Sequence, residues 1–95
     1  MASVTIQVPA VLAPTVGGRR VFDVECGDGA SVGSILDAVS ADFPVFARRI
    51  RDETGKVRRF ANVFVGQDNI RDLEGLDTPA PDGARIMVIQ SVAGG

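Results

Sequence analysis

Apolar and polar residues alternate cleanly from Ser3 to Val8, with Val4, Ile6 and Val8 on one parity and Ser3, Thr5 and Gln7 on the other. That period of two predicts a strand with one buried face. Pro9 lacks the N–H that a ladder needs and ends it. Residues 9–18 contain Pro9, Pro14, Gly17 and Gly18, so they form a loop longer than a two-residue turn. Alternation resumes from Arg19 to Cys26, with Phe22, Val24 and Cys26 opposite Val21, Asp23 and Glu25. The two runs predict a β-hairpin.

The period then changes. Val32, Ile35, Leu36, Val39 and Phe43 recur at helical spacing behind Ser31, and Pro44 stops the run, which predicts one amphipathic helix of about three turns with Ser31 as its N-cap. Ser34 stands where a capping box needs Glu or Gln, so the box is incomplete. Phe46 and Ile50 are four apart and suit one face of a short helical turn, with Arg48, Arg49 and Arg51 outward. Ala61–Val65 is apolar on both parities except for Asn62, as in a strand inside a sheet. Gly66–Asn69 reads as a turn, Ile70-Arg71 as a short strand or loop, and Leu73, Leu76, Pro79 and Pro81 as an irregular connection. Pro81-Asp82-Gly83 is a turn signal before a last strand, Ala84–Ser91.

This order of elements predicts an α+β domain: a mixed four- to five-stranded sheet with one main helix packed on one face. Residues 1–91 form the domain and residues 92–95 a flexible tail. With the last strand central and beside the first, its residues of opposite parity point to the open face. Met87 and Ile89 are then a candidate partner-docking patch, the alternative being that loops cover them.

Composition narrows the function. A net charge of −2 gives no general attraction to nucleic acid or to anionic membranes. No apolar run approaches a membrane span and no targeting segment is evident, so the expected location is cytoplasmic. The chain has no His, Trp or Tyr and a single Cys. The commonest general base and metal ligand are therefore missing, and no disulfide or zinc knuckle can form within the chain. These absences suit a protein that is acted upon: not an enzyme, with no catalytic residue, no metal site and no bound cofactor.

Three stretches tempt a functional reading. Cys26 shares the parity of Phe22 and Val24 and neighbours Glu25 and Asp28, an environment for a packing thiol rather than a nucleophile. Gly27, Gly29 and Gly33 miss the dinucleotide-binding spacing by one residue, and no Walker lysine follows, so Gly27-Asp28-Gly29 reads as a strand-to-helix turn. Arg48, Arg49, Arg51, Lys56, Arg58 and Arg59 form either a basic patch for an acidic partner or, the plainer reading, a solvated surface.

The apolar run Ile86-Met87-Val88-Ile89 leads straight into Val92-Ala93-Gly94-Gly95. Two glycines build nothing structural, because glycine costs the most entropy to order. They offer either a frayed end or a narrow thread carrying a carboxylate. On the element order, the final apolar strand and this di-glycine end, the chain resembles the ubiquitin-like β-grasp sulfur carriers of the MoaD/ThiS/CysO family. The likeness is greatest to the CysO type, over Val4-Thr5-Ile6-Gln7-Val8-Pro9, Arg59-Phe60-Ala61-Asn62-Val63-Phe64-Val65 and Val92-Ala93-Gly94-Gly95.

The resemblance implies that an E1-like adenylating sulfurtransferase of the MoeB/ThiF type uses ATP and Mg to activate Gly95. The Gly95 thiocarboxylate then gives sulfur to an accepting biosynthetic enzyme, and a metal-dependent hydrolase can follow in CysO-type systems. Gly94, Ala93 and Val92 would thread the crevice of the partner. The pathway served, whether cysteine, thiosugar or cofactor, is decided by the partner enzymes. The resemblance also admits a protein modifier joined through the same Gly95, and the small subunit of a molybdopterin-synthase-type complex.

Overall fold

The computed structural model describes residues 2–90. The first alternating run is strand β1, Ala2–Gln7, and the second is β2, Val21–Cys26. They pair antiparallel in the register Ala2↔Cys26 to Gln7↔Val21, which is the predicted hairpin. Ala2, Val4, Ile6 and Val8 are buried, whereas Ser3 is exposed. The connection is more structured than its prolines and glycines suggest. It carries a 3-10 turn, Ala13–Val16, closed by Gly17 at φ +74°, and it sends Leu12 and Val16 into the core.

Helix α1 spans Val32–Asp42. Ser31 Oγ accepts a hydrogen bond from the Ser34 N–H at 3.1 Å, and Ser34 Oγ donates to the Ser31 carbonyl at 2.9 Å. The cap is thus made without a carboxylate. Val32, Ile35, Leu36 and Val39 are buried. Gly33 faces the 3-10 turn Gly75–Asp77 across a contact tighter than a side chain ordinarily makes. Pro44 ends α1 as expected, and it also opens a second helix, α2, Pro44–Ile50. Proline suits a first helical position because that N–H has no partner in the helix anyway. Phe46 and Ile50 of α2 are fully buried in the same core as the α1 residues. The helical layer is therefore two helices where the pattern predicted one main helix and a turn.

The remaining strands are β3, Ala61–Val65, the two-residue β4, Asp68–Asn69, and β5, Arg85–Gln90. Between β4 and β5 lie 3-10 turns at Ile70–Asp72 and Gly75–Asp77. The strand order is β2-β1-β5-β3-β4. The central strand, β5, runs parallel to β1 and pairs antiparallel with β3. This is a mixed five-stranded sheet in the ubiquitin-like β-grasp arrangement. Ile86 and Val88 of β5 are buried with Ala61 and Val63 of β3 against the helices. Among the described residues no helix is long and apolar enough to cross a membrane.

Candidate functional site

The predicted site, Val92-Ala93-Gly94-Gly95, lies outside the described residues; the strand that leads to it does not. β5 is held on one side by β1 in the register Thr5↔Arg85, Ile6↔Ile86 and Gln7↔Met87. On the other side β3 pairs with it from Val65↔Ile86 to Ala61↔Gln90. The pairing with β1 stops at Met87, whereas that with β3 continues to Gln90. A hollow of about 180 Å3, lined by residues that include Val8, Pro9, Arg20 and Ile89, opens where β1 has ended and β5 runs on. The last described residues of β5 thus have a strand on one flank and open space on the other. Among the described residues, Gln90 Oε1 is buried without a hydrogen-bond partner.

The parity of β5 sorts its side chains as predicted. Ile86 and Val88 go to the core, and Met87 and Ile89 go to the face without helices. Met87 is half-buried and Ile89 is 39% exposed. Among the described residues, loops leave Ile89 open and Met87 partly covered. The register adds a residue that the pattern did not single out: Phe64 of β3 stands directly opposite Met87, half-buried on the same face. Gln7 flanks Met87 on the β1 side, and its Oε1 accepts from the Arg85 guanidinium at 3.0 Å. Met87, Phe64 and Ile89 therefore form an apolar strip bordered by polar groups, leading toward the end of β5.

The basic stretch divides between structure and surface. The Arg51 guanidinium donates to the Gly55 carbonyl at 2.8 Å and forms an ion pair with Asp37 at 2.6 Å. Arg58 Nε donates to the Arg48 carbonyl at 2.8 Å. Arg71 reaches Asn62 Oδ1 at 2.6 Å and the Arg58 carbonyl at 2.9 Å. Three arginines thus fasten the segment between α2 and β3, while Arg48, Arg49, Lys56 and Arg59 are exposed.

Within that segment Asp52 takes hydrogen bonds from the Thr54 hydroxyl and from the Lys56 and Thr54 N–H groups. These bonds, the Thr54 hydroxyl first, hold its carboxyl below the ordinary carboxylate value. Cys26 is half-buried at the end of β2 and packs against the core. Gly27-Asp28-Gly29 is a turn, as read, with Gly29 at φ +73°. Among the described residues no three His, Cys, Asp or Glu side chains gather where they could hold a metal ion.

Comparison with known proteins gives a consistent result. The model of the ThiS family matches residues 6–95. The sulfur carrier protein CysO of Mycobacterium tuberculosis (strain H37Rv) is 30% identical over 95 residues, covering 98% of this chain and 99% of its own. Among solved structures, the matched chain of the Amycolatopsis orientalis BexX/CysO complex is 34% identical. It covers 97% of this chain and 99% of its own, with a TM-score of 0.78. Small archaeal modifier protein 1 from Methanosarcina acetivorans is 27% identical over 100% of this chain and 98% of its own, with a TM-score of 0.81.

Proposed function

The chain belongs to the ThiS family, and from that membership we propose that it carries sulfur as a thiocarboxylate on Gly95. The observation that supports the reading best is continuity. The family match runs unbroken through Gly95, and the strand before the tail is the middle of the sheet rather than a loose edge. A central strand anchors whatever follows it, so the fold serves as a handle for the tail.

The chemistry starts from a poor electrophile. A carboxylate delocalises its charge, and its oxygen is a bad leaving group. An E1-like adenylating partner, supplied with ATP and Mg, joins the Gly95 carboxylate to AMP and releases pyrophosphate. A sulfur donor then attacks the acyl carbon and AMP departs, leaving a thiocarboxylate that is anionic at neutral pH. Gly94 and Ala93 let the thread pass where larger side chains would collide. The strip of Met87, Phe64 and Ile89 is the docking face we assign to the activating and accepting partners. This chain supplies recognition and the acyl group, and the partners supply catalysis. The BexX/CysO complex supports the idea that such a carrier works by docking to a partner protein.

A second reading has its own support in the likeness to small archaeal modifier protein 1. The same activated Gly95 would then be joined to an amine of a target protein. Lys56 is the only lysine, so chains of this protein linked to one another have few attachment points, and the modifier reading favours single conjugation.

One experiment separates these. The chain ending at Gly95 is incubated with a cognate E1-like enzyme, Mg-ATP and a sulfur source, and its intact mass is measured. Replacement of one oxygen by sulfur, lost when Gly95 is deleted, is the expected outcome. An unchanged mass under conditions that release pyrophosphate overturns the carrier reading. Heavier adducts that require Gly95 favour the modifier.

A further inference from the structure

The edge of the sheet formed by β2 has a property that the tail chemistry does not use. The Val8 N–H bonds to the Arg20 carbonyl at 2.8 Å, and the hairpin register places Ile6 opposite Phe22 and Val4 opposite Val24. Hydrogen-bonded pairs alternate along an antiparallel ladder. Phe22, Val24 and Cys26 therefore direct their backbone groups to β1, and Val21, Asp23 and Glu25 direct theirs outward. Among the described residues no strand pairs with that outer side. Six residues of edge are thus open to another chain, with neither proline nor bulge to blunt them. The opposite edge, β4, is only two residues long.

Beside this edge lies a groove of about 300 Å3 between β2 and α1. Phe22, Val24, Val39 and Phe43 line it on the apolar side, and Asp23, Glu25 and Asp42 line it on the polar side. The rings of Phe22 and Phe43 are tilted 59° at 6.3 Å. Arg19 closes one end, its guanidinium 5.0 Å from the Phe22 ring centre and 5.9 Å from that of Phe43. A strand added about 4.8 Å outside β2 would drop alternate side chains into this groove. Its other side chains would lie opposite Val21, Asp23 and Glu25, all of which are exposed.

Charge decides the occupant. A second copy pairing through its own β2 would set acidic residues against Asp23 and Glu25, and like charges directly opposite are destabilising. A segment with basic residues at those positions is attracted instead. We propose that the outer edge of β2 is a strand-addition site for an extended segment of a partner protein that alternates apolar and basic residues. The apolar side chains enter the groove under Phe22 and Phe43, and the basic ones pair with Asp23 and Glu25. The site is separate from the Met87–Phe64–Ile89 strip and stands whether or not Gly95 carries sulfur.

The test uses the full chain, isotopically labelled, titrated with a blocked octapeptide of alternating valine and lysine. The control peptide has the same charge but carries proline at a central valine, which blocks strand pairing. Amide shifts confined to Val21–Cys26 and Ala38–Phe43 are expected. Binding should weaken about tenfold or more for the proline peptide, and likewise for the near-isosteric double variant Asp23→Asn, Glu25→Gln, as cross-strand charge pairing requires. Equal binding of the two peptides would reduce the effect to bulk charge attraction and overturn the proposal. So would shifts centred on Phe64, Met87 and Ile89, indifference to the double variant, or no binding at millimolar peptide.

Discussion

Gly33 and Leu76 meet so closely that a Cβ built on Gly33 would stand 3.0 Å from the Leu76 carbonyl oxygen and 3.2 Å from the Leu76 Cβ. The partner atom is backbone, so it cannot swing aside. This contact seats α1 on the turn before β5, and it explains a glycine that the sequence offered only as part of a failed phosphate-loop spacing. Alanine is the better helix former by about 1 kcal/mol, but overpacking costs about 1–3 kcal/mol. Gly33→Ala should therefore lower stability by about 1 kcal/mol in denaturant titrations, and Gly33→Val by more. A stabilised Gly33→Ala would show that the turn yields freely.

Phe46 tests the second helix. It is fully buried in the core that β1 and β5 also fill, and removal of such a ring costs about 3–5 kcal/mol. Phe46→Ala should cut the urea midpoint sharply or unfold the chain. A loss below about 0.5 kcal/mol, within the range of ordinary surface changes, would mean that α2 contributes little to the core.

Ile89 tests the open face from the other direction. At 39% exposed, it should tolerate Ile89→Ser with a stability change of about 0.5 kcal/mol or less. If the strip docks partners, the same variant raises the E1-like enzyme concentration needed for half-maximal pyrophosphate release. Wild-type concentration dependence would remove Ile89 from the docking face.

The tail makes a complementary prediction. A residue added after Gly95 should block sulfur loading until a protease removes it, and the melting temperature should stay within the scatter of the parent. A large loss of stability would assign residues 92–95 a structural role.

Asp52 sets a pH dependence with a definite sign. Its folded carboxyl value lies below the ordinary 3.8, so its contribution is fully present above the unfolded value and is lost as pH falls through the folded one. Carboxyl NMR titration should place Asp52 below 3.8, with Thr54→Val moving it back toward that value. An unshifted Thr54→Val variant would mean that the hydroxyl bond is not the main cause.

Local pattern carried the reading where burial is periodic. The parity of β1, β2 and β5 and the helical spacing of α1 report directly which faces are covered, so Met87 and Ile89 could be assigned to the open face from parity once β5 was taken as central. Leu12 and Val16 escaped because a 3-10 turn inside a loop buries residues without a period. Pro44 was legible as a stop but not as a start, since proline serves both ends of neighbouring helices. Phe64 was missed because a strand apolar on both parities looks buried on both, and only its register with Met87 shows otherwise. The tail was read from its composition and its resemblance to a family, because a run of small residues has no burial period to read.

The Ser3 N–H bonds to Asp82 Oδ1 at 2.9 Å, across 79 positions of sequence, beside the parallel pairing of β1 with β5. The oldest strand in synthesis must therefore wait for the youngest. Until β5 emerges, β1 and β3 lack the strand that lies between them, and closing so long a loop is an entropic cost that local contacts cannot offset. The chain thus closes its sheet only once β5 is available, and a partner that grips the face of β5 would meet only molecules whose core is already shut.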